Sequence, residues 1–167
     1  MNQLDLSSIN ERAPYQVSRL DKEGVYEFYT KHGIHYFVDF MEDDFLMTPN
    51  VYQFSIVNVN HKSSPRDSDV RDTVIAIVDD FFIQNKSALL YICETSDSRQ
   101  SMRSRLFASW FEKDCHKNDF VIMTADVTDE EGVTNYAAII VPLETPNFEQ
   151  IVSEFKNTIT LFKNKPC

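Results

Sequence analysis

The residues best suited to chemistry lie between positions 94 and 110, in the stretch ETSDSRQSMRSRLFASW. Arg99, Arg103 and Arg105 fall within seven residues of a chain whose 26 Asp and Glu outnumber its 16 Lys and Arg. Guanidinium groups present planar forks of donors that fit carboxylates and phosphates. Read as a helix, the stretch puts Arg99 and Arg103 on one face with Gln100 beside them, and Arg105 on another side. Ser96 or Asp97 would cap that helix, and free amides at its start would reinforce anion binding. The set Asp97, Arg99, Gln100, Arg103 and Arg105 is therefore the expected binding site for an acidic ligand or partner. A structural reading competes with it, in which Glu94, Asp97 and acids of neighbouring elements pair with the arginines. No catalytic residues, cofactor or metal can be assigned, and whether the chain is an enzyme stays open.

One enzyme class can be compared with this stretch. In acyl-coenzyme A transferases of the GNAT type, a strand feeds a loop and helix with the pattern (Arg or Gln)-x-x-Gly-x-(Gly or Ala), whose amides cradle the pyrophosphate. Here Gln100 takes the first position, but Arg103 and Arg105 fill the two small positions. Close approach of backbone to phosphate favours a residue without Cβ. This transferase is the alternative reading, with an atypical phosphate loop that lacks glycine.

Other constellations are weaker. His32, His35 and Asp39 flank the first expected turn, but four residues of strand separate His35 from Asp39 by ~13 Å. The neighbours Cys115 and His116 have no identifiable orienting acid. Asp43-Asp44, Asp79-Asp80 and Asp67-x-Asp69-x-x-Asp72 lack calcium-loop spacing, so solvated helix ends and loops are expected there. Tyr26, Tyr29, Tyr36, Phe37 and Tyr52 could stack on bases, yet only Lys31 accompanies them between Gly24 and Met47.

Composition narrows the classes further. The formal charge of −10 opposes non-specific contact with nucleic acid or an anionic membrane. Three cysteines, Cys93, Cys115 and Cys167, form no disulfide framework and point to a reducing, cytoplasmic compartment. No apolar run is long enough for a membrane span, and no signal peptide is recognisable. The 13 Phe and 7 Tyr exceed what one core needs, which is compatible with a homodimer.

These residues need elements to hold them. Residues 1–20 are aperiodic and are expected to form a loosely ordered arm. A single α+β domain is expected over 21–167. Val25–Tyr29 and Ile34–Phe40 read as a hairpin turning at Lys31-His32-Gly33, and residues 50–60 as a third strand. Ser68–Gln84 is an amphipathic helix with the stripe Val70, Val74, Ile77, Val78, Phe81 and Phe82, capped by Asp67 or Ser68. Ala88–Cys93 reads as a central strand, and Asp97–Lys113 as a second helix. Asp119–Val127 and Val133–Val141 form a second hairpin, followed by a helix over Phe148–Phe162. The order βββαβαββα predicts a mixed or antiparallel sheet of about six strands flanked by three amphipathic helices.

Three segments carry a resemblance: Leu90–Thr95 with the Asp97–Phe111 stretch, the Tyr52-x-Phe54-x-Ile56-x-Asn58 strand, and the Asp69–Phe82 helix. Together they resemble a family of small bacterial domains of unknown function found mainly in Bacteroidetes, most strongly over residues 52–111. That resemblance implies a bacterial origin and brings no activity or catalytic set. The reading is a small cytoplasmic binding or protein-interaction domain.

Overall fold

The structure is a computed structural model that describes residues 1–63, 65–94, 109, 119–128 and 130–163. Among these, the chain runs α1 (Leu6–Arg12), β1 (Ser18–Arg19), β2 (Val25–Tyr29), β3 (His35–Glu42), β4 (Val51–Asn58), α2 (Ser68–Gln84), β5 (Ala88–Glu94), β6 (Phe120–Thr128), β7 (Thr134–Pro142) and α3 (Phe148–Lys163). The fold is α+β, with one mixed sheet ordered β1-β2-β3-β4-β5-β7-β6. β4 and β5 run parallel, pairing from Val51↔Ala88 to Gln53↔Leu90. β2/β3, β5/β7 and β6/β7 are antiparallel. The expected strands and the helices at 68–84 and 148–162 are present, and the seventh strand is the two-residue β1. Of the helix expected over Asp97–Lys113, only Ser109 is among the described residues, and it is helical.

The chain divides into two compact units, residues 1–41 with 54–85, and residues 42–53 with 86–167. In the first, the β2–β3 hairpin is set by backbone chemistry. Thr30 Oγ1 accepts the amides of His32 and Ile34, both at 3.2 Å. Gly33 then supplies the left-handed φ of 72° that closes the turn. Gly24 is equally constrained, since at φ 79° a Cβ there would lie 2.5 Å from the Phe40 carbonyl oxygen.

Alternation along β2 and β3 sends Tyr26, Phe28, Tyr36, Val38 and Phe40 to a buried face. Phe40 stacks on Phe81 of α2 with ring centroids 4.9 Å apart and packs against Phe54 at 5.4 Å. Asp67 caps α2 by accepting the Asp69 amide at 2.9 Å, as its composition suggested.

The first twenty residues differ from expectation. They carry α1 and β1, and Leu4, Ile9 and Val17 are almost fully buried. Asn10 and Val17 exchange side-chain and backbone hydrogen bonds at 2.8 and 3.0 Å. Partners on α2 and the turn after it bind this segment along its length. Asn2 bonds to Asn85 and the Gln84 carbonyl, Asp5 to Asp80, Arg12 to Asp79, and Tyr15 to Thr73 and Asp67. A seven-residue helix with one buried position has no readable period, which is why the segment looked loose.

In the second unit the core is formed by Leu46, Val51, Ala88, Leu90, Ile139, Val141, Ile151 and Phe155. β5 supplies Ala88 and Leu90 to it, while Leu89 is buried outside that cluster. α3 contributes one stripe, Ile151 and Phe155, with Val152 and Ile159 packed alongside.

Candidate functional site

Asp97, Arg99, Gln100, Arg103 and Arg105 all lie outside the described residues, as do Cys115 and His116. The strand that leads to them is described. β5 pairs with β7 from Leu89↔Ile140 to Glu94↔Asn135. Tyr91, half-buried, packs against Tyr136 and Ala138, while Ile92 is 40% exposed. β5 lies between its parallel neighbour β4 and the antiparallel β7, whereas the next strand among the described residues, β6, lies beyond β7. In open parallel α/β sheets ligands bind beyond the carboxyl ends of strands where strand order changes; the β5–β7 pair here is antiparallel.

A second cluster lies on the opposite face of the β2–β3 hairpin from the Phe40 core. His35 Nε2 and Glu27 Oε2 are 2.7 Å apart. Tyr29, opposite His35 in register, stacks on the imidazole with centroids 4.1 Å apart, and Phe37 meets it edge-on at 4.8 Å. The carboxylate accepts from Nε2–H in the neutral tautomer and forms an ion pair with the protonated ring. His35 thus meets Glu27 rather than Asp39. Among the described residues no three His, Cys, Asp or Glu side chains come together to hold a metal. The sequence reading missed Glu27, because a diagonal cross-strand neighbour becomes visible only once the register Glu27↔Phe37 is known.

The base-stacking candidates are reduced by burial. Tyr26 and Tyr36 are core residues at 1% and 6% exposure, so their faces are not available, whereas Tyr29 is 61% exposed.

The acidic pairs divide into different roles. Asp80 is fully buried rather than solvated. Its Oδ2 accepts the Asp5 amide at 2.8 Å, and Oδ1 has no hydrogen-bond partner among the described residues. Asp67 binds the Tyr15 hydroxyl as well as the Asp69 amide. Burial and the bond to Asp67 push the Tyr15 hydroxyl up to about 12. Burial alone would raise the Asp67 carboxyl, but the Tyr15 and Asp69 hydrogen bonds, with the nearby charges of Lys31 and His32, outweigh it and lower its pKa. This group joins the N-terminal segment to the start of α2, which is a structural role.

The family of unknown function DUF6169 matches residues 66–157, more than half of the chain, from the approach to α2 into α3. No curated protein matches the chain. No described helix is long and apolar enough to cross a membrane.

Proposed function

Since the chain belongs to DUF6169, a family of unknown function, its role has to be argued from its own residues, and we propose that it is a small binding domain for an acidic ligand or partner. Arg99, Gln100 and Arg103 hold the anion, with Arg105 and Asp97 beside them. The observation that carries this reading is the place of β5. It is paired to β7 out to Glu94, flanked by a parallel strand on its other side, and followed in sequence by this concentration of arginine. In a chain of charge −10 such a concentration supplies the attraction that the rest of the surface lacks. The same proposal puts the chain in the cytoplasm, on its cysteine usage, and allows a homodimer, on its aromatic content.

The test is charge reversal. The double variant Arg99→Glu, Arg103→Glu is expected to lose a co-purified ligand or partner while its circular dichroism stays unchanged. Unfolding of the variant would instead mark the arginines as structural ion-pair partners.

A second reading is the acyltransferase. Its support is β5 as a strand with a parallel neighbour that ends shortly before Gln100, a setting suited to a strand feeding a phosphate-cradling turn. Against it stand Arg103 and Arg105 at the two small positions. Coenzyme A at roughly millimolar concentration should raise the melting temperature if this reading holds. No shift would remove it and leave anion binding by another ligand.

A further inference from the structure

We propose that the loop between β3 and β4 is a docking knob for a cationic amphipathic segment of a partner protein, a role separate from anion binding after β5. The loop spans residues 43–50. Leu46 anchors it in the core of the second unit at 3% exposure. Asp43 accepts the amides of Phe45 at 3.1 Å and Leu46 at 2.7 Å, and also the Gln53 side-chain amide at 2.7 Å. Glu154 of α3 accepts the next two amides, of Met47 and Thr48, together with the Thr48 hydroxyl. Four consecutive backbone amides are thus held by two carboxylates.

What this fixed backbone presents is apolar. Met47 is 90% exposed and Phe45 40%. Single exposed apolar residues are ordinary on a protein surface. A methionine held outward by a loop with every amide of its tip bonded is a preorganised contact, and its flexible thioether adapts to varied apolar partners.

Charge selects the occupant. Glu42, at the end of β3, and Asp44 are exposed on the approach to the tip, and Asp43 and Glu154 accept its amides. A second copy of the chain carries a net charge of −10, which disfavours it at an acidic rim relative to a cationic partner. A segment with an apolar stripe flanked by Lys or Arg is complementary to both the methionine and its rim.

The probe is a fluorescein-labelled helical peptide of Leu and Lys, titrated with the full chain and read by anisotropy. Saturable binding is expected, with Met47→Ser weakening it about tenfold. Met47 supports no core, so this variant keeps its fold. Glu154→Gln, which loosens the loop, should also weaken binding, and Asp44→Asn should weaken it more than Glu11→Gln, an equal charge change elsewhere. The proposal is overturned by absence of binding, by wild-type affinity in Met47→Ser, or by equal effects of Asp44→Asn and Glu11→Gln. Equal binding of a peptide with Ser in place of Leu would reduce the interaction to net charge and overturn it too. A concentration-dependent dimer in sedimentation that Met47→Ser abolishes would name a second copy as the occupant instead.

Discussion

α2 and α3 have similar lengths and similar apolar stripes in the sequence, yet they are buried differently. α3 buries Ile151 and Phe155 and leaves Ser153, Lys156 and Asn157 in solvent, the pattern of a helix with one covered face. α2 buries Val70, Thr73 through Val78, Asp80 and Phe81, which extends well around its circumference. The polar members, Thr73 and Asp80, are both acceptors for amides of the N-terminal segment, those of Tyr15 and Asp5. One stripe of α2 therefore meets the hairpin through Phe81, and residues 1–17 satisfy another side. The difference teaches that a helix stripe reports one covered face and says little about a second.

The largest expected effect comes from uncovering that second side. Ile9 is fully buried, and Ile9→Ala should cost about 2–5 kcal/mol in urea denaturation. Val152→Ala, on the half-buried margin of α3, should cost about 1 kcal/mol or less. Equal costs would erase the contrast between the two helices. Next in size is Asp80. Asp80→Ala leaves the Asp5 amide without its acceptor and should cost about 1–3 kcal/mol. Asp80→Asn retains a carbonyl acceptor without the buried charge and should cost less. If the asparagine variant were as unstable as the alanine one, the hydrogen bond to Asp5 would not be what Asp80 contributes.

Much of the fold was legible because period and turn chemistry are local. The Ser68–Gln84 helix, its Asp67 cap, the Gly33 turn and the 120–142 hairpin all follow from short-range patterns. What escaped depends on partners distant in sequence. α1 lies against α2, and the bond from the Asp5 amide at its start to Asp80 spans 75 positions. Burial of Asp80 reversed the expectation of a solvated helix acid, because the covering segment cannot be inferred from α2 alone. The pairing of His35 with Glu27 needed the strand register. For the arginine stretch, sequence supplies residue types and the position after β5, and the chemistry of Arg99, Gln100 and Arg103 rests on those.

The smallest effect tests what α3 does with its exposed side. Glu154, half-buried at the margin of that side, holds the 43–50 loop. Burial works to raise its carboxyl, but the Thr48 hydroxyl and the Met47 and Thr48 amides outweigh burial and hold its pKa below the ordinary 4.5. Those bonds favour the charged form in the folded chain. Their contribution is fully present above 4.5, falls as pH drops below it, and is gone once pH passes the lowered folded value. Glu154→Gln should therefore be less stable than wild type at neutral pH by about 1 kcal/mol. The gap should narrow through the acid range as wild type takes up the proton, whereas a gap independent of pH would mean that Glu154 steadies the loop by packing, and that its charge is not what separates the exposed side of α3 from the covered side of α2.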